Sequence, residues 1–269
     1  MGDGAYAETI RKIQKILQIR QGKSLQNKNK VLGVLGGLGP MATVYFYEML
    51  TEHTYAERDQ DHIDIVISSR ATTPDRTAFI LGKSEENPLS VMCEEAKRLI
   101  GYGADMISIP CNTAHYFYDE LAKEIDVPIV NIIRETVRFI KNTGAKKAGI
   151  LATEGTVRSG AYEKVSSEMG LLYEAPEAEY QSLLSDIIYG DIKHGKDADM
   201  EKFGRVCSHM REKGCERIVL GCTELSLIAK KNKLGGEFVD SMEVLALKTI
   251  KMCGKTPIGF SDEMMKYIN

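Results

Sequence analysis

The chain has 269 residues, 43% of them apolar and 27% charged, and a net charge of −3. That length supports a sizeable core, in one domain of two lobes or in two small domains, and the composition is ordinary for a soluble globular protein. The charge gives no electrostatic pull toward nucleic acid or a membrane, and no apolar run approaches the ~18 residues of a membrane span, so an acidic substrate would need a few local cations instead.

Residues 5–20, AYAETIRKIQKILQIR, place Ile10, Ile13, Ile16, Leu17 and Ile19 near helical spacing, and the polar stretch QGKSLQNKNK follows as a linker. Residues 1–30 therefore read as an N-terminal helical extension, packed on the surface or on a partner subunit. They lack the basic and apolar regions of a signal peptide. VLGVLGGLGPMATVYFYEML, residues 31–50, then reads as a strand, a glycine cluster and a helix opened by Pro40. It has the look of a phosphate loop. However, Gly33, Gly36, Gly37 and Gly39 do not follow the G-x-G-x-x-G order and no G-K-[ST] follows, which excludes a P-loop. The glycines read instead as letting the backbone approach a small substrate.

Further strands are expected at 63–68, 105–109, 127–130, 148–152 and 216–220, with helices at 85–100, 112–123, 155–169, 178–190, 197–213 and 241–252. Short buried strands alternating with helices imply an α/β protein with parallel sheets covered on both faces. There is also an internal echo. GVLGGLGPMATVYFYEML (33–50) is matched by GILATEGTVRSGAYEKV (149–165), and ADMISIPCNTAH (104–115) by CERIVLGCTELS (215–226). The echo predicts two similar lobes related by a pseudo-twofold, 31–130 completed by 238–253, and 131–237, with 254–269 as a C-terminal tail. Ligands of such sheets bind beyond the carboxyl ends of the strands, so a cleft between the lobes would carry one cysteine on each wall.

Those cysteines are Cys111 in SIPCNTAH and Cys222 in VLGCTELS. Each follows an apolar strand and precedes a helix start, where free N–H groups lower a thiol's pKa and also bind a carboxylate. Taken singly, either reads more readily as a buried small hydrophobe; the matching contexts reverse this and favour a functional pair. Cys93, Cys207, Cys215 and Cys253 read as structural. No C-x-x-C pair is present, so no zinc site is expected, and scattered thiols suggest a reducing, cytoplasmic setting.

In order and spacing, VLGVLGGLGPMAT, TTPDRTAFIL, PCNTAH and GCTEL resemble the aspartate/glutamate racemase family that does not use pyridoxal phosphate, on its aspartate racemase branch, from about Val31 to Cys253. The resemblance implies racemisation of an acidic amino acid, aspartate or glutamate, without cofactor or metal. It assigns Cys111 and Cys222 as alternating base and acid, and Asn112, Thr113 and Thr223 as holders of the α-carboxylate. It makes Arg76 the cation for the side-chain carboxylate and Lys193 a further substrate contact, with Lys196 as a rival to Lys193. Several readings stay open at this point. Arg76 could be a surface arginine. His115 could face Cys111 along a helix or be structural, and Glu224 could cap a helix or tune Cys222. A cysteine-dependent decarboxylase or isomerase of the same superfamily and a non-catalytic amino-acid-binding protein are the alternative functions. A homodimer is expected.

Overall fold

Two parallel four-stranded sheets organise the computed structural model, which describes residues 29–267. The first holds β1 (Val31–Gly36), β2 (Asp64–Ser69), β3 (Met106–Ser108) and β4 (Ile129–Val130) in the order β2-β1-β3-β4. The second holds β5 (Lys147–Leu151), β6 (Leu172–Glu174), β7 (Arg217–Leu220) and β8 (Phe238–Asp240) in the order β6-β5-β7-β8. The same order occurs twice, as the sequence echo predicts. In register, Val34 of β1 lies beside Ile67 and Ser108, and Ile150 of β5 lies beside Val219. β1, β3, β5 and β7 are almost wholly buried, the pattern of strands covered on both faces. β6 and β8 have three residues each without the fully buried run that marks β3, and the sequence reading does not contain them.

The helices that flank the sheets are α1 (Pro40–Glu52), α2 (Arg76–Ile80), α3 (Leu89–Gly101), α4 (Tyr118–Lys123), α5 (Ile132–Asn142) and α6 (Glu154–Arg158). They continue with α7 (Ala161–Glu168), α8 (Ala178–Ser185), α9 (Met200–Glu212), α10 (Ser226–Lys231), α11 (Ser241–Met252) and α12 (Asp262–Tyr267). Three differ from the helices expected. The segment 112–123 opens as a 3₁₀ turn, Thr113–Phe117. The segment 155–169 breaks at Gly160, whose φ of 65° lies in the left-handed region. The segment 178–190 passes into a π turn, Asp186–Asp191, then a 3₁₀ turn, Ile192–His194. α5 is absent from the sequence reading although its signals are strong. Asn131 caps it by accepting from the Arg134 N–H, and Ile132, Ile133, Val137 and Ile140 are buried on one face. Only Asn131 separates it from β4, which hides its start.

A shared core joins the sheets. It runs from Leu32, Val34 and Met106 through α5 and α11, with Val137, Ile140, Leu245 and Ile250, to Ala148, Ile150 and Val219. Phe260 and Met264 join this core, so the segment expected as a tail packs on the body. The N-terminal helix expected over 5–20 lies outside the described residues.

Candidate active site

The carboxyl ends of β1, β2 and β3 face those of β5 and β7 across a cavity of about 330 Å³ including its mouth. Cys111 and Cys222, at the ends of β3 and β7, both line it and are 6% and 5% exposed. Arg76, Asn112, Thr113, Thr223 and Lys193 line the same cavity. All seven residues singled out in the sequence thus meet at one place. Lys196 does not; it lines a separate surface groove with Met41 and Met200.

The two thiols have different surroundings. The Cys222 Sγ–H donates to Glu224 Oε2 at 3.0 Å, and the other oxygen of that carboxylate accepts from Lys193 Nζ at 2.6 Å. Burial pushes the Cys222 thiol well above its ordinary range, the Glu224 charge adds to this, and Lys193 partly offsets both. Burial pulls the Lys193 ammonium down, but the Glu224 carboxylate beside it raises it by more, so it stays charged. The resting arrangement is a protonated Cys222 beside the hydrogen-bonded Glu224–Lys193 pair. Among the described residues, no carboxylate hydrogen-bonds the Cys111 thiol. Glu224 therefore tunes Cys222; it does not cap a helix.

His115 likewise resolves. Its Nδ1–H donates to the Cys111 carbonyl at 2.9 Å, and its Nε2 accepts from the Ile132 N–H at 3.3 Å, a tautomer set by those two partners. Burial lowers its pKa, which keeps the ring neutral. It braces the backbone of Cys111 from the start of α5, and its hydrogen bonds go to backbone groups, not to the thiol.

Arg76 is anchored from behind. Nη1 donates to the Thr73 and Pro74 carbonyls at 3.3 and 3.0 Å, and Nη2 donates to the Leu38 carbonyl at 2.7 Å. Its Nε is buried and has no hydrogen-bond partner. An unpaired buried guanidinium N–H is costly. Asp75 caps the short helix that Arg76 opens by accepting from the Ala78 N–H at 2.8 Å, which fixes where the guanidinium starts.

Two expected carboxylate holders have their side chains engaged within the protein. The Asn112 amide accepts from the Tyr162 hydroxyl at 2.8 Å and donates to Ser241 Oγ at 3.0 Å. The Thr113 hydroxyl meets those of Thr153 and Thr156 at 3.0 and 2.8 Å. The glycine cluster is also reread. A Cβ on Gly39 would lie 2.5 Å from Glu224 Oε1, so this glycine makes room for the Glu224–Lys193 pair. Gly37, at φ 79°, would bring a Cβ within 2.5 Å of the Arg70 backbone. These glycines admit protein groups, where the sequence reading has them admit substrate.

Leu38, Thr77, Thr153 and Tyr189 also line the cavity and are missing from the sequence reading. Tyr189 sits on the π turn, donates to Thr77 Oγ1 at 3.1 Å, and has Lys193 Nζ 5.7 Å from its ring centre. The usable signal was the spacing of Tyr189 and Lys193, but it has meaning only once the π turn is known. Among the described residues no group of His, Cys, Asp and Glu is disposed to hold a metal ion.

Comparison with known proteins gives several likenesses. Residues 35–249 match the family model described as Asp/Glu/Hydantoin racemase. The structure is similar to an aspartate racemase of Picrophilus torridus, with a TM-score of 0.76 and 31% identity over 89% of this chain and 100% of that one. It is also similar to an aspartate racemase homologue from Pyrococcus horikoshii OT3, with a TM-score of 0.69 and 28% identity over 84% of this chain and 100% of the other. In sequence it is 26% identical over 229 residues to a broad specificity amino-acid racemase of Bacillus subtilis (strain 168), spanning 82% of this chain and 96% of the relative.

Proposed function

Because the chain belongs to the Asp/Glu/hydantoin racemase family, we propose that it racemises an acidic amino acid, aspartate or glutamate, by a two-thiol mechanism without cofactor. The observation that carries this reading is the meeting of Cys111, Cys222 and Arg76 at one small cavity.

The chemistry follows from the geometry. One thiolate removes the Cα proton from one face and the opposite thiol returns a proton to the other. Charge developing on the α-carboxylate is met by N–H groups in the turns that start at Asn112–Thr113 and at Thr223, because the side chains of Asn112 and Thr113 are engaged elsewhere. Arg76 holds the distal carboxylate through its guanidinium, which three carbonyl contacts fix at the cavity wall. Lys193 adds a second positive charge. When Cys222 acts as base, its proton passes to Glu224 Oε2, already in hydrogen-bond contact. When it acts as acid, the resting thiol is ready, and the Cys111 thiol first gives its proton to solvent.

A broader amino-acid range is the second reading, favoured by the likeness to the broad specificity relative. Aspartate and glutamate differ by one methylene, worth only ~1–3 kcal/mol in a pocket. The homodimer and the cytoplasmic setting belong to the same proposal; six free cysteines fit a reducing compartment. A chiral assay over L- and D-amino acids tests it. Racemisation confined to acidic substrates supports the first reading, racemisation of neutral or basic ones the second, and binding without turnover contradicts both.

A further inference from the structure

The turn that carries Cys111 and the strand that carries Cys222 are tied together by a buried chain of hydrogen bonds behind the cavity. The Tyr162 hydroxyl donates to Asn112 Oδ1 at 2.8 Å, Asn112 Nδ2 donates to Ser241 Oγ at 3.0 Å, and the Ser241 hydroxyl donates to the Leu220 carbonyl at 2.7 Å. Asn112 follows Cys111 directly, and Leu220 is the last residue of β7, two before Cys222. Tyr162, Asn112 and Ser241 are at most 2% exposed. The polarity of the chain is fixed from end to end, because a carbonyl oxygen can only accept. Ser241 therefore must donate to Leu220, which leaves its lone pair for Asn112, and the Asn112 oxygen then faces the Tyr162 hydroxyl.

The start of α11 grips the Cys222 loop a second time. Asp240 Oδ1 accepts from the Ser226 hydroxyl at 2.6 Å and from the Met242 N–H at 2.8 Å. Residues before and after Cys222 are thus both bound to the first turn of α11, while Asn112 is bound to the same turn from the other side. Removing the Ser241 hydroxyl would leave the buried Asn112 amide N–H without its partner, and the two walls would lose their side-chain link.

We infer that Ser241 is a positioning residue that sets the separation of the two thiols, through the strut Tyr162–Asn112–Ser241–Leu220. This rests on the two-thiol reading above. The strut touches no reacting atom. Its effect is on the second half of the reaction, in which the proton must come from the far wall. Misplacement on the scale of ~1 Å costs about 10²-fold where reacting groups must meet. With the walls less well fixed, the carbanion would be reprotonated more often by the thiol that formed it. After exchange of that thiol with solvent, this returns the starting enantiomer carrying a solvent hydrogen.

The test follows aspartate in deuterated water, measuring label in the recovered enantiomer and inversion in the same sample. In Ser241→Ala, inversion is expected to fall about tenfold or more while same-face exchange falls far less, so the ratio of exchange to inversion rises. Tyr162→Phe, which removes only the end of the strut, is expected to raise the ratio by less, and Ser241→Thr, which keeps the hydroxyl, to restore it. A purely structural role would lower both rates together, and that result overturns the strut. A second measurement does not depend on turnover. Crystal structures of the wild type and Ser241→Ala are expected to differ in the Cys111 Sγ to Cys222 Sγ distance by roughly 0.5–1 Å. An unchanged distance overturns the strut whatever the substrate proves to be. Failure of the wild type to racemise any amino acid overturns the function instead.

Discussion

Glu224 accepts the Cys222 thiol hydrogen at 3.0 Å while its other oxygen holds Lys193 at 2.6 Å. Cys111 has no such carboxylate partner among the described residues, so one wall of the cavity carries a thiol with a built-in proton acceptor and the other does not. Enantiomers have the same free energy, so kcat/KM must be equal in the two directions at every pH. The asymmetry can therefore be seen only in half-reactions or in the titration of a single thiol.

Glu224→Gln should lower kcat/KM equally in both directions, by about 10²–10⁴-fold if the carboxylate acts as a base. It should also move the Cys222 titration to lower pH, because the Glu224 charge is one of the causes that raise it. Thiolate absorbance against pH, in a Cys111→Ser background, reads this shift. An unchanged midpoint with full activity would return Glu224 to a structural role.

Arg76→Ala should cost acidic substrates about 2–5 kcal/mol in kcat/KM, the usual penalty for leaving a buried charge partner unpaired. Arg76→Lys should rescue little, because an ammonium cannot keep the three carbonyl contacts and also hold a carboxylate. The measurement is kcat/KM for aspartate, and an unchanged value places the distal carboxylate elsewhere.

Asp240 gives a pH dependence of stability. Burial raises its carboxyl from 3.8 to about 6, and burial together with the Asp240 charge raises the neighbouring Glu243 to about 7. A raised acid binds its proton more tightly in the folded state, so its contribution is fully present below the unfolded pKa and is lost as pH rises through about 6. Asp240→Asn keeps an oxygen for the Ser226 hydroxyl and the Met242 N–H without the charge. The variant should gain stability relative to wild type as pH rises from 4 to 7, by up to ~3 kcal/mol for a shift of about two units. Urea unfolding at several pH values measures the difference; a difference that shrinks with rising pH would contradict the assignment.

Much of this was legible in the sequence. β1, β3, β5 and β7 announce themselves as short apolar runs, and the echo between 33–50 and 149–165 anticipates the repeated strand order. The cysteines are legible because each ends a buried strand. What escapes has physical causes. β6 and β8 are three residues each without the fully buried run that marks β3, and only Asn131 separates α5 from β4. The roles of Glu224 and Ser241 depend on contacts made across the fold, and no spacing encodes them. Asn112 shows the same limit: its motif points to the site, but only the packing of Tyr162 and Ser241 shows that its amide is engaged behind it.

The central claim is that Cys111 and Cys222 serve opposite faces of one Cα. It is tested most directly by isotope exchange in deuterated water with each thiol removed in turn. With Cys222 taken as the base for the L-enantiomer, Cys111→Ser should label L-aspartate without inverting it, and Cys222→Ser should label D-aspartate without inverting it. Neither variant should racemise, while Cys207→Ala, a buried core thiol away from the cavity, should keep most of the activity. Proton NMR of the Cα signal with chiral separation reads all of these outcomes. Label confined to one enantiomer in each single-thiol variant is the predicted result; rapid inversion by either variant would contradict the account.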